Sequence, residues 1–403
     1  MKRILLIIPF CLLVACDDAE PLDSQPADPG NPLCADLAST CIKMQQGCVV
    51  DEAGAAECSR CEFGTHPIAP YAGCVPIQGT PLRHEFAPWD LEAGEEIPSI
   101  CQSWMLNNEE EIWVNTVEFE NTGSYHHSNW FFVPQDYNDW PTEPWVDCYG
   151  EGFHEVEAAL AGGVLFAQTT QVRQELQKFP DGVAVRIPPH SRIITVTHLL
   201  NWNPEPVTTE MNLSFYTLTP EEVEVPLTPF QLIYTPLDIP AQATSTFETR
   251  CNVREAYEDL FKDEDFDMDL YYLLPHYHTL ATGFEVGIVG GERDGEVLLH
   301  TGPLGEEATG QVFDPPIPLS DSDGLSMKCS YHNLTDDTVE WGIGDQEMCE
   351  LLGFARIKMA FTAGPSDNEI VGEEEGVVVN EGSCDVTGFA FSQTKEGGSP
   401  PGE

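Results

Sequence analysis

The chain has 403 residues and a formal net charge of −51, from 68 acidic and 17 basic residues. A surface this acidic repels nucleic acid and anionic lipid headgroups, so neither is expected as a partner. We interpret most of these carboxylates as a solvated face that serves solubility or salt adaptation. The length predicts two or three domains, and a monomer is expected.

The first residues have the features of a bacterial secretion signal. Residues 1–3 are Met-Lys-Arg, which is a basic start. Residues 4–15 form an apolar run that is too short to span a membrane. Residues 13–16, Leu-Val-Ala-Cys, resemble a lipobox, which predicts a signal peptide over 1–15 and a lipid on Cys16. An ordinary signal peptide with a chance cysteine is the alternative. We expect a protein of the bacterial cell envelope, periplasmic or on the outer surface, that is anchored to the membrane only by its lipid.

The cysteine content indicates an oxidising compartment. Of 14 cysteines, Cys11 lies in the signal and Cys16 would carry the lipid, which leaves the even number 12 that is typical of disulfide-bonded secreted proteins. Six of them lie within 34–79, a segment too short for a large core, so three disulfides of open pairing are expected to stabilise it. Cys58 and Cys61 could instead form half a zinc site, although no second close pair completes it. This module resembles small growth-factor-like or adhesion modules.

The rest of the chain has the pattern of a β protein. Residues 16–33 predict an acidic tether and residues 391–403 a disordered tail. From residue 81, short β-rich runs alternate with Pro, Gly, Asn and Asp, which is typical of antiparallel sandwiches. Strands are predicted over 112–119, 183–187, 192–199, 211–218 and 230–234, and a helix over 252–262. A seam near Pro220–Pro229 would divide two sandwiches, 81–225 and 226–390. The predicted fold class is therefore all-β: two antiparallel, jelly-roll-like sandwiches that face a cleft, after a small disulfide-rich module.

Five histidines and one methionine form two candidate copper sites. The sets are His126, His127 and His198, and then His276, His278 and Met348. Imidazole suits copper, and a thioether favours copper(I). The His-x-His pair shares one face of a strand, whereas the adjacent pair needs a bulge, a twist or different ring nitrogens, for which residues 121–124 could supply an irregular start. A histidine pair on a solvated strand and a core-filling methionine are the alternatives.

These residues, in this order, resemble the copper type II, ascorbate-dependent monooxygenases, a family that includes peptidylglycine α-hydroxylating monooxygenase and dopamine β-monooxygenase. The similarity covers about 81–390. It rests on the paired histidines, on His198 followed by an Asn-Pro turn at 203–204, on the His-x-His pair, and on the Glu-Met-Cys segment at 347–349. The resemblance also implies three disulfides, namely Cys101–Cys148, Cys251–Cys384 and Cys329–Cys349.

The resemblance implies an enzyme with two coppers per chain in separate domains across a solvent-filled cleft. The first histidine set would hold a copper that stores and passes an electron, and the second set the copper at which a C–H bond of a small molecule is hydroxylated with O2 and ascorbate or an equivalent reductant. Two positions depart from the family. Leu274 and Leu352 stand where the peptide-hydroxylating member has an Arg and a Tyr that hold a carboxylate. A peptide ending in glycine is therefore not the expected substrate.

Two other functions remain open on the sequence. One is a non-catalytic surface lipoprotein that binds or sequesters copper, and the other is an adhesion or interaction protein led by the module at 34–79. The remaining histidines are interpreted as surface or hydrogen-bonded residues rather than ligands; they are His66, His84, His154, His190, His300 and His332.

Overall fold

The computed structural model describes residues 30–391 except 139, 169–171, 263, 304–309 and 343–345. The expected signal peptide, the lipid site at Cys16, most of the tether and nearly all of the tail lie outside the described residues. Of the described residues, 56% lie in strands and 6% in α-helices, which confirms the all-β fold class. None of the helices in these ranges has the length and apolar character needed to cross a bilayer.

The described residues form three α-helices and twenty-nine strands. The helices are α1 (Ala38–Lys43), α2 (Glu155–Ala161) and α3 (Val253–Leu260), and a 3₁₀ turn covers Pro32–Cys34. The module contains β1 (Gly47–Val50), β2 (Ala56–Ser59), β3 (Thr65–Ile68) and β4 (Gly73–Pro76). The N-terminal half contains β5 (Thr80–Glu85), β6 (Trp89–Leu91), β7 (Glu96–Met105), β8 (Ile112–Asn121), β9 (Tyr125–Pro134), β10 (Trp145–Val146), β11 (Gly163–Gln168), β12 (Gln174–Lys178), β13 (Val183–Ile187), β14 (Ser191–Leu200), β15 (Val207–Thr209) and β16 (Met211–Leu218). The C-terminal half contains β17 (Val225–Ile233), β18 (Asp238–Ile239), β19 (Ala243–Asn252), β20 (Asp269–His276), β21 (Ala281–Val289), β22 (Val297–Thr301), β23 (Gln311–Pro318), β24 (Gly324–Asn333), β25 (Val339–Glu340), β26 (Glu350–Arg356), β27 (Met359–Pro365), β28 (Glu369–Glu374) and β29 (Val377–Ala390).

Two small hairpins and three disulfides build the N-terminal module. The disulfides are Cys34–Cys48, Cys41–Cys58 and Cys61–Cys74. Both cysteines of the alternative zinc reading are thus oxidised to different partners, so that reading is wrong. Because the cluster of buried apolar residues here is small, the disulfides supply most of the constraint on this segment.

The module is fixed to the N-terminal half by hydrogen bonds to buried groups. The backbone N–H of Gly64 donates to both carboxylate oxygens of Glu118, at 2.9 and 3.0 Å, and the hydroxyl of Tyr216 donates to the same carboxylate at 2.9 Å. The side-chain oxygen of Gln45 accepts from the backbone N–H of Lys178 at 2.6 Å. The module therefore packs on the β-sheet and does not hang from it as a free spacer.

The N-terminal half packs two sheets around one core. A five-stranded sheet has the order β10-β7-β14-β9-β11, and β5, β16, β8, β12 and β13 form the facing sheet. Strand β14 is buried on both sides for most of its length because its neighbours are β7 and β9. Phe119 of β8 contacts Trp130 of β9 across the core, with ring centroids 6.2 Å apart. Cys101 and Cys148 are disulfide-bonded within this half.

The C-terminal half repeats the arrangement with its own core. Strands β20, β23, β26, β17 and β27 lie on one side, and β22, β21, β24, β19 and β28 on the other, while the long β29 pairs in both sheets. The disulfide Cys251–Cys384 links β19 to β29, and Cys329–Cys349 links β24 to the segment before β26. Helix α3 lies within the predicted helix, and the side chain of Asn252 caps it by accepting from the N–H of Glu255.

The expected seam near Pro220–Pro229 contains the start of a strand that both halves share. The first residues of β17, Val225–Leu227, pair in parallel with β13 of the N-terminal half. Residues 228–233 of the same strand pair with β26 of the C-terminal half. The chain thus passes from one half to the other inside a hydrogen-bonded strand, and this continuity fixes the relative position of the two cores.

We expect His66 to make the apo protein sensitive to mild acid. Burial, followed by the charge of Lys178, lowers the pKa of His66 to about 4. Between about pH 6.5 and 4, His66 is therefore protonated in the unfolded chain, where the histidine pKa is about 6.5, but stays neutral in the folded chain. The free energy of unfolding falls as the pH drops through this range. Because the ring is partly exposed, we expect His66→Gln to remove roughly 1 kcal/mol of this loss between pH 7.5 and 5.

Urea unfolding of the apo protein at the two pH values measures this difference. His332→Gln, at an exposed position, is the matched control and should follow the wild type. An equal acid loss in the wild type and in His66→Gln would contradict the assignment.

Candidate metal centre

A β-bulge brings the first three histidines to one side of the N-terminal sheet. His127 of β9 lies directly opposite His198 of β14, and the register shifts by one residue immediately beyond this pair, at His126. Ser124, just before β9, has a φ of 65° and supplies the irregular start expected from the sequence. The bulge solves the problem that adjacent residues of a regular strand point to opposite faces.

The three imidazoles have the spacing of a metal site. One ligand atom from each of His126, His127 and His198 lies within 4.8 Å of the others. His198 Nδ1 and His127 Nε2 are 3.3 Å apart. Two nitrogens bound to one ion at about 2.0 Å each would lie roughly 3 Å apart, so this pair needs little movement to share an ion.

Glu96 orients His198, the third candidate ligand. His198 Nε2 lies 2.9 Å from Glu96 Oε1, which can only accept, so Nε2 carries the proton and the lone pair of Nδ1 faces the other two rings. Burial lowers the pKa of His198 to about 4, so at neutral pH the contact is a hydrogen bond of a neutral imidazole rather than an ion pair. Hydrogen bonds of this kind fix the tautomer and ring direction of metal-binding histidines.

The second pair of histidines stands at the end of β20. Tyr277 points away from them into the core, where its hydroxyl bonds the hydroxyl of Thr301 at 2.8 Å and the carbonyl of Gly302 at 2.9 Å. This anchor holds His276 and His278 on the opposite side, with ring centroids 5.4 Å apart.

The loop before β26 holds the second pair of histidines in position. His278 Nδ1 donates to the carbonyl of Gln346 at 2.7 Å, which leaves Nε2 free to bind. The carboxylate of Glu347 accepts from the backbone N–H groups of His278 and Leu280 at 2.9 and 2.6 Å. Burial raises the pKa of Glu347 to about 7, although these backbone donors oppose the increase.

Met348 is fixed from both sides in the same loop. Its side chain is buried, its carbonyl accepts from the hydroxyl of Tyr331 at 2.7 Å, and the neighbouring Cys349 is disulfide-bonded to Cys329. The register of β20 and β26 pairs His276 with Glu350, two residues after Met348. The structure thus brings the methionine segment alongside the histidine pair.

The two histidine sets touch, in contrast to the separation across a solvent-filled cleft that the resemblance implied. The ring of His127 lies 5.2 Å from that of His276 and 5.6 Å from that of His278. These three residues are 6–7% exposed. Apolar residues of β20, such as Tyr272 and Leu274, belong to the core of the N-terminal half, so the junction between the halves is closed beside the histidines.

Four ring nitrogens of this cluster are buried and have no hydrogen-bond partner among the residues that the structure describes. They are His126 Nδ1, His127 Nδ1, His276 Nε2 and His278 Nε2. Burial, aided by the charges of neighbouring histidines, lowers the pKa of His126 to about 4 and of His276 to about 3. Neutral imidazoles with free lone pairs are the form of histidine that binds metals, and a set of imidazoles with one thioether fits copper.

A cavity of about 590 Å³ opens beside Met348 between the two halves. Its walls are mainly apolar and include Phe131, Ile233 and Trp341. Two half-buried carboxyl groups also face it, Glu155 of α2 and Glu350 of β26. Burial raises the pKa of Glu155 to about 7, and burial together with the charge of Glu155 raises that of Glu350 to about 8. The volume is in the range of small-molecule sites.

The two family positions that depart form an apolar pair. Leu274 of β20 and Leu352 of β26 lie directly opposite each other in the register and are buried at the junction of the halves. Since alternate residues of a strand share one face, they lie on the same side as His276 and Glu350. The two positions that would hold a carboxylate in the peptide-hydroxylating member thus carry no charge or hydrogen-bonding group here.

Several residues of the centre gave no signal in the sequence. Glu96 precedes His198 by more than a hundred residues, and its role depends on the pairing of β7 with β14. The acceptor at Gln346 is a backbone carbonyl, which every residue has, so the sequence does not indicate it. Glu155 and Glu350 were two carboxylates among 68 acidic residues until the fold brought them to one cavity. His154, interpreted from the sequence as a surface or hydrogen-bonded residue, lines the same cavity.

No protein-family model and no curated protein matches the chain. Among solved structures, the major capsid protein P2 of bacteriophage PM2 is similar with 8% identity and a TM-score of 0.29, over 67% of this chain and 98% of that one. A second similar structure is that of the T=3 Penaeus vannamei nodavirus, with 9% identity and a TM-score of 0.17, over 76% of this chain and 98% of that one. Similarities this low carry no argument about function.

We expect Glu96→Ala to weaken copper binding at the first histidine set by about 10- to 100-fold, because the ring of His198 loses the acceptor that fixes its tautomer. Competition with a chelator of known affinity measures the two binding steps. Glu92→Ala, which removes a neighbouring exposed carboxylate, is the control. Unchanged affinity in Glu96→Ala would show that the carboxylate does not orient the ligand.

Proposed function

We propose that this protein is an extracytoplasmic, lipid-anchored, copper-dependent monooxygenase that hydroxylates a C–H bond of a small molecule. The observation that carries the proposal is the buried cluster of partnerless imidazole nitrogens beside a cavity lined by Met348. His126, His127 and His198 would hold one copper, and His276, His278 and Met348 the other. The similarity of these ligands, in order, to the copper type II monooxygenases supports the same reading.

Copper, when bound, would supply one-electron redox chemistry and the reaction with O2. The balanced reaction is R–H + O2 + 2 e⁻ + 2 H⁺ → R–OH + H2O, with both electrons from ascorbate or an equivalent two-electron reductant. The protein's own groups prepare this chemistry. Glu96 and the carbonyl of Gln346 hold His198 and His278 in the tautomers that present a lone pair.

The loop around Met348 would keep a weak ligand in place. A thioether binds less strongly than imidazole, so its position must be fixed by the protein. The disulfide Cys329–Cys349, the hydrogen bond from Tyr331 and the backbone contacts of Glu347 supply this constraint. The low exposure of His276 and Met348 also limits water at the position where the C–H bond would react.

The cavity favours an organic cation as substrate. Glu155 and Glu350 place two half-buried carboxyl groups on the mainly apolar walls, which the exposed Glu157 also lines, and an ammonium or guanidinium group would supply their counter-charge. Phe131, Ile233 and Trp341 would contact the carbon skeleton. The apolar pair Leu274–Leu352 offers no charge to an anionic substrate.

A copper-sequestering lipoprotein is the alternative. The same histidine cluster would serve it, but a substrate-sized cavity beside Met348 would then have no role. Copper content alone does not separate the two functions, whereas turnover does. Two coppers per chain with ascorbate-driven, substrate-stimulated oxygen consumption support the enzyme, and two coppers without turnover on any class of substrate support sequestration.

We expect Met348→Ile to keep the fold and abolish hydroxylation, because it removes the thioether without opening a large cavity in the core. Met359→Ile changes a buried methionine elsewhere in the C-terminal half and should retain activity. Product formation is measured with ascorbate and O2, and thermal unfolding checks the fold of both variants. Full activity in Met348→Ile would contradict the assignment of Met348 as a copper ligand.

We expect amines to stimulate oxygen consumption, and their neutral or carboxylate analogues of equal size to fail. Glu350→Gln and Glu155→Gln should each raise KM for an active amine at least tenfold, or about 1.4 kcal/mol, because a buried cation loses its counter-charge. Glu151→Gln, at an exposed carboxylate outside the cavity, is the control. Stimulation by carboxylates, or an unchanged KM in both cavity variants, would contradict the proposed substrate class.

A further inference from the structure

His127 lies between the two histidine sets and contacts both. Its ring centroid is 5.1 Å from that of His198 and 5.5 Å from that of His126 within its own set. The corresponding distances to His276 and His278 of the other set are 5.2 and 5.6 Å. In distance alone, this residue belongs to the second set as much as to the first.

The two ring nitrogens of His127 have different surroundings. Nε2 lies 3.3 Å from Nδ1 of His198 and so faces the first set. Nδ1 is on the other side of the ring, is fully buried and has no hydrogen-bond partner within the described part of the chain. The unpartnered nitrogen is therefore directed away from His198 in a ring that lies against the second set.

We propose that His127 bridges the two metal ions, with Nε2 binding the copper of the first set and Nδ1 binding the copper of the second. This inference rests on the proposed function, since it needs both ions. Each nitrogen binds through a lone pair, so the second ion displaces the remaining N–H proton to solvent. The second site would then have three imidazoles and one thioether. The two copper ions, which lie in different halves of the protein, would be linked through the ring of His127.

A shared imidazole makes the two coppers magnetically dependent on each other. In the cupric state, unpaired electrons on two ions bound to one ring couple antiferromagnetically, and the paramagnetic signal of the pair is lost on cooling. Two independent sites would instead give the full signal of two cupric ions. Electron transfer between the sites would likewise pass through the ring of His127 rather than across solvent.

The test is low-temperature electron paramagnetic resonance of the purified full chain loaded with Cu(II), with copper content measured on the same sample. We expect two coppers per chain and loss of most of the cupric signal. In His127→Ala, all copper that stays bound should become visible. His126→Ala is the matched control, because it removes a ligand of the first set and leaves the bridge, so chains that retain two ions should keep the loss of signal.

Two coppers with the full signal in the wild-type protein would overturn the bridge and leave the proposed enzyme standing. Fewer than two coppers would overturn both. A coupled pair without oxygen-dependent turnover would support the bridge and count against the monooxygenase. Since the wild-type measurement alone decides the bridge, the inference is testable even if a histidine variant fails to fold.

Discussion

Strand β17 begins in a sheet of the N-terminal half and ends in a sheet of the C-terminal half, so the halves cannot separate without breaking backbone hydrogen bonds. The rest of the centre depends on this continuity. The carboxyl-terminal part of β17 pairs with β26, and β26 pairs with β20, which ends at His276. Because three adjacent strands transmit the position, the sheet itself holds His276 against His127, and the loop before β26 holds His278 beside it.

This arrangement destabilises the metal-free protein, because it buries imidazole nitrogens without hydrogen-bond partners among the described residues. Each buried polar group without a partner costs about 1–3 kcal/mol, and the cluster has four such nitrogens. The surrounding structure must offset that cost in the metal-free protein. The disulfide Cys329–Cys349 and the anchored Tyr277 do so locally, because they prevent the loop and the strand end from relaxing toward water. A rigid site whose buried nitrogens are unfavourable when it is empty favours the binding of metal ions that accept their lone pairs.

Local patterns predicted the elements of the fold well. The strands at Val183–Ile187 and Met211–Leu218 have the bounds that their apolar content indicated, since β-branched and aromatic residues fill buried sheet positions. The helix near residue 253 followed from its apolar spacing. The prolines near 220–229 indicated where one half gives way to the other but not that a strand crosses there, since prolines usually end strands and Pro226 and Pro229 lie within β17.

The sequence proposed the candidate ligands of the site but did not contain their geometry. Family resemblance named the histidines and Met348, and the strand alternation explained the His276–His278 pair. The bulge at His126 was only one of three ways to turn adjacent rings together, and nothing local chose it. The approach of His127 to His276 depends on packing between halves that are far apart in sequence, so no residue pattern contains it.

The acidic surface and the acidic groups of the cavity would affect ligands in different ways. A surplus of acidic residues on the surface attracts cations over a Debye length of about 8 Å, and it repels an anionic reductant over the same distance. Inside the cavity, burial raises the pKa of Glu155 and of Glu350, and a bound cation would favour their ionised forms, which would then act on it more strongly than exposed carboxylates can. The surface therefore concentrates cations without selecting among them, and the two cavity carboxyl groups would make the selection. For an anion such as ascorbate the same field is a barrier, so on the proposed function a neutral or cationic reductant would reach the first histidine set more readily than ascorbate does.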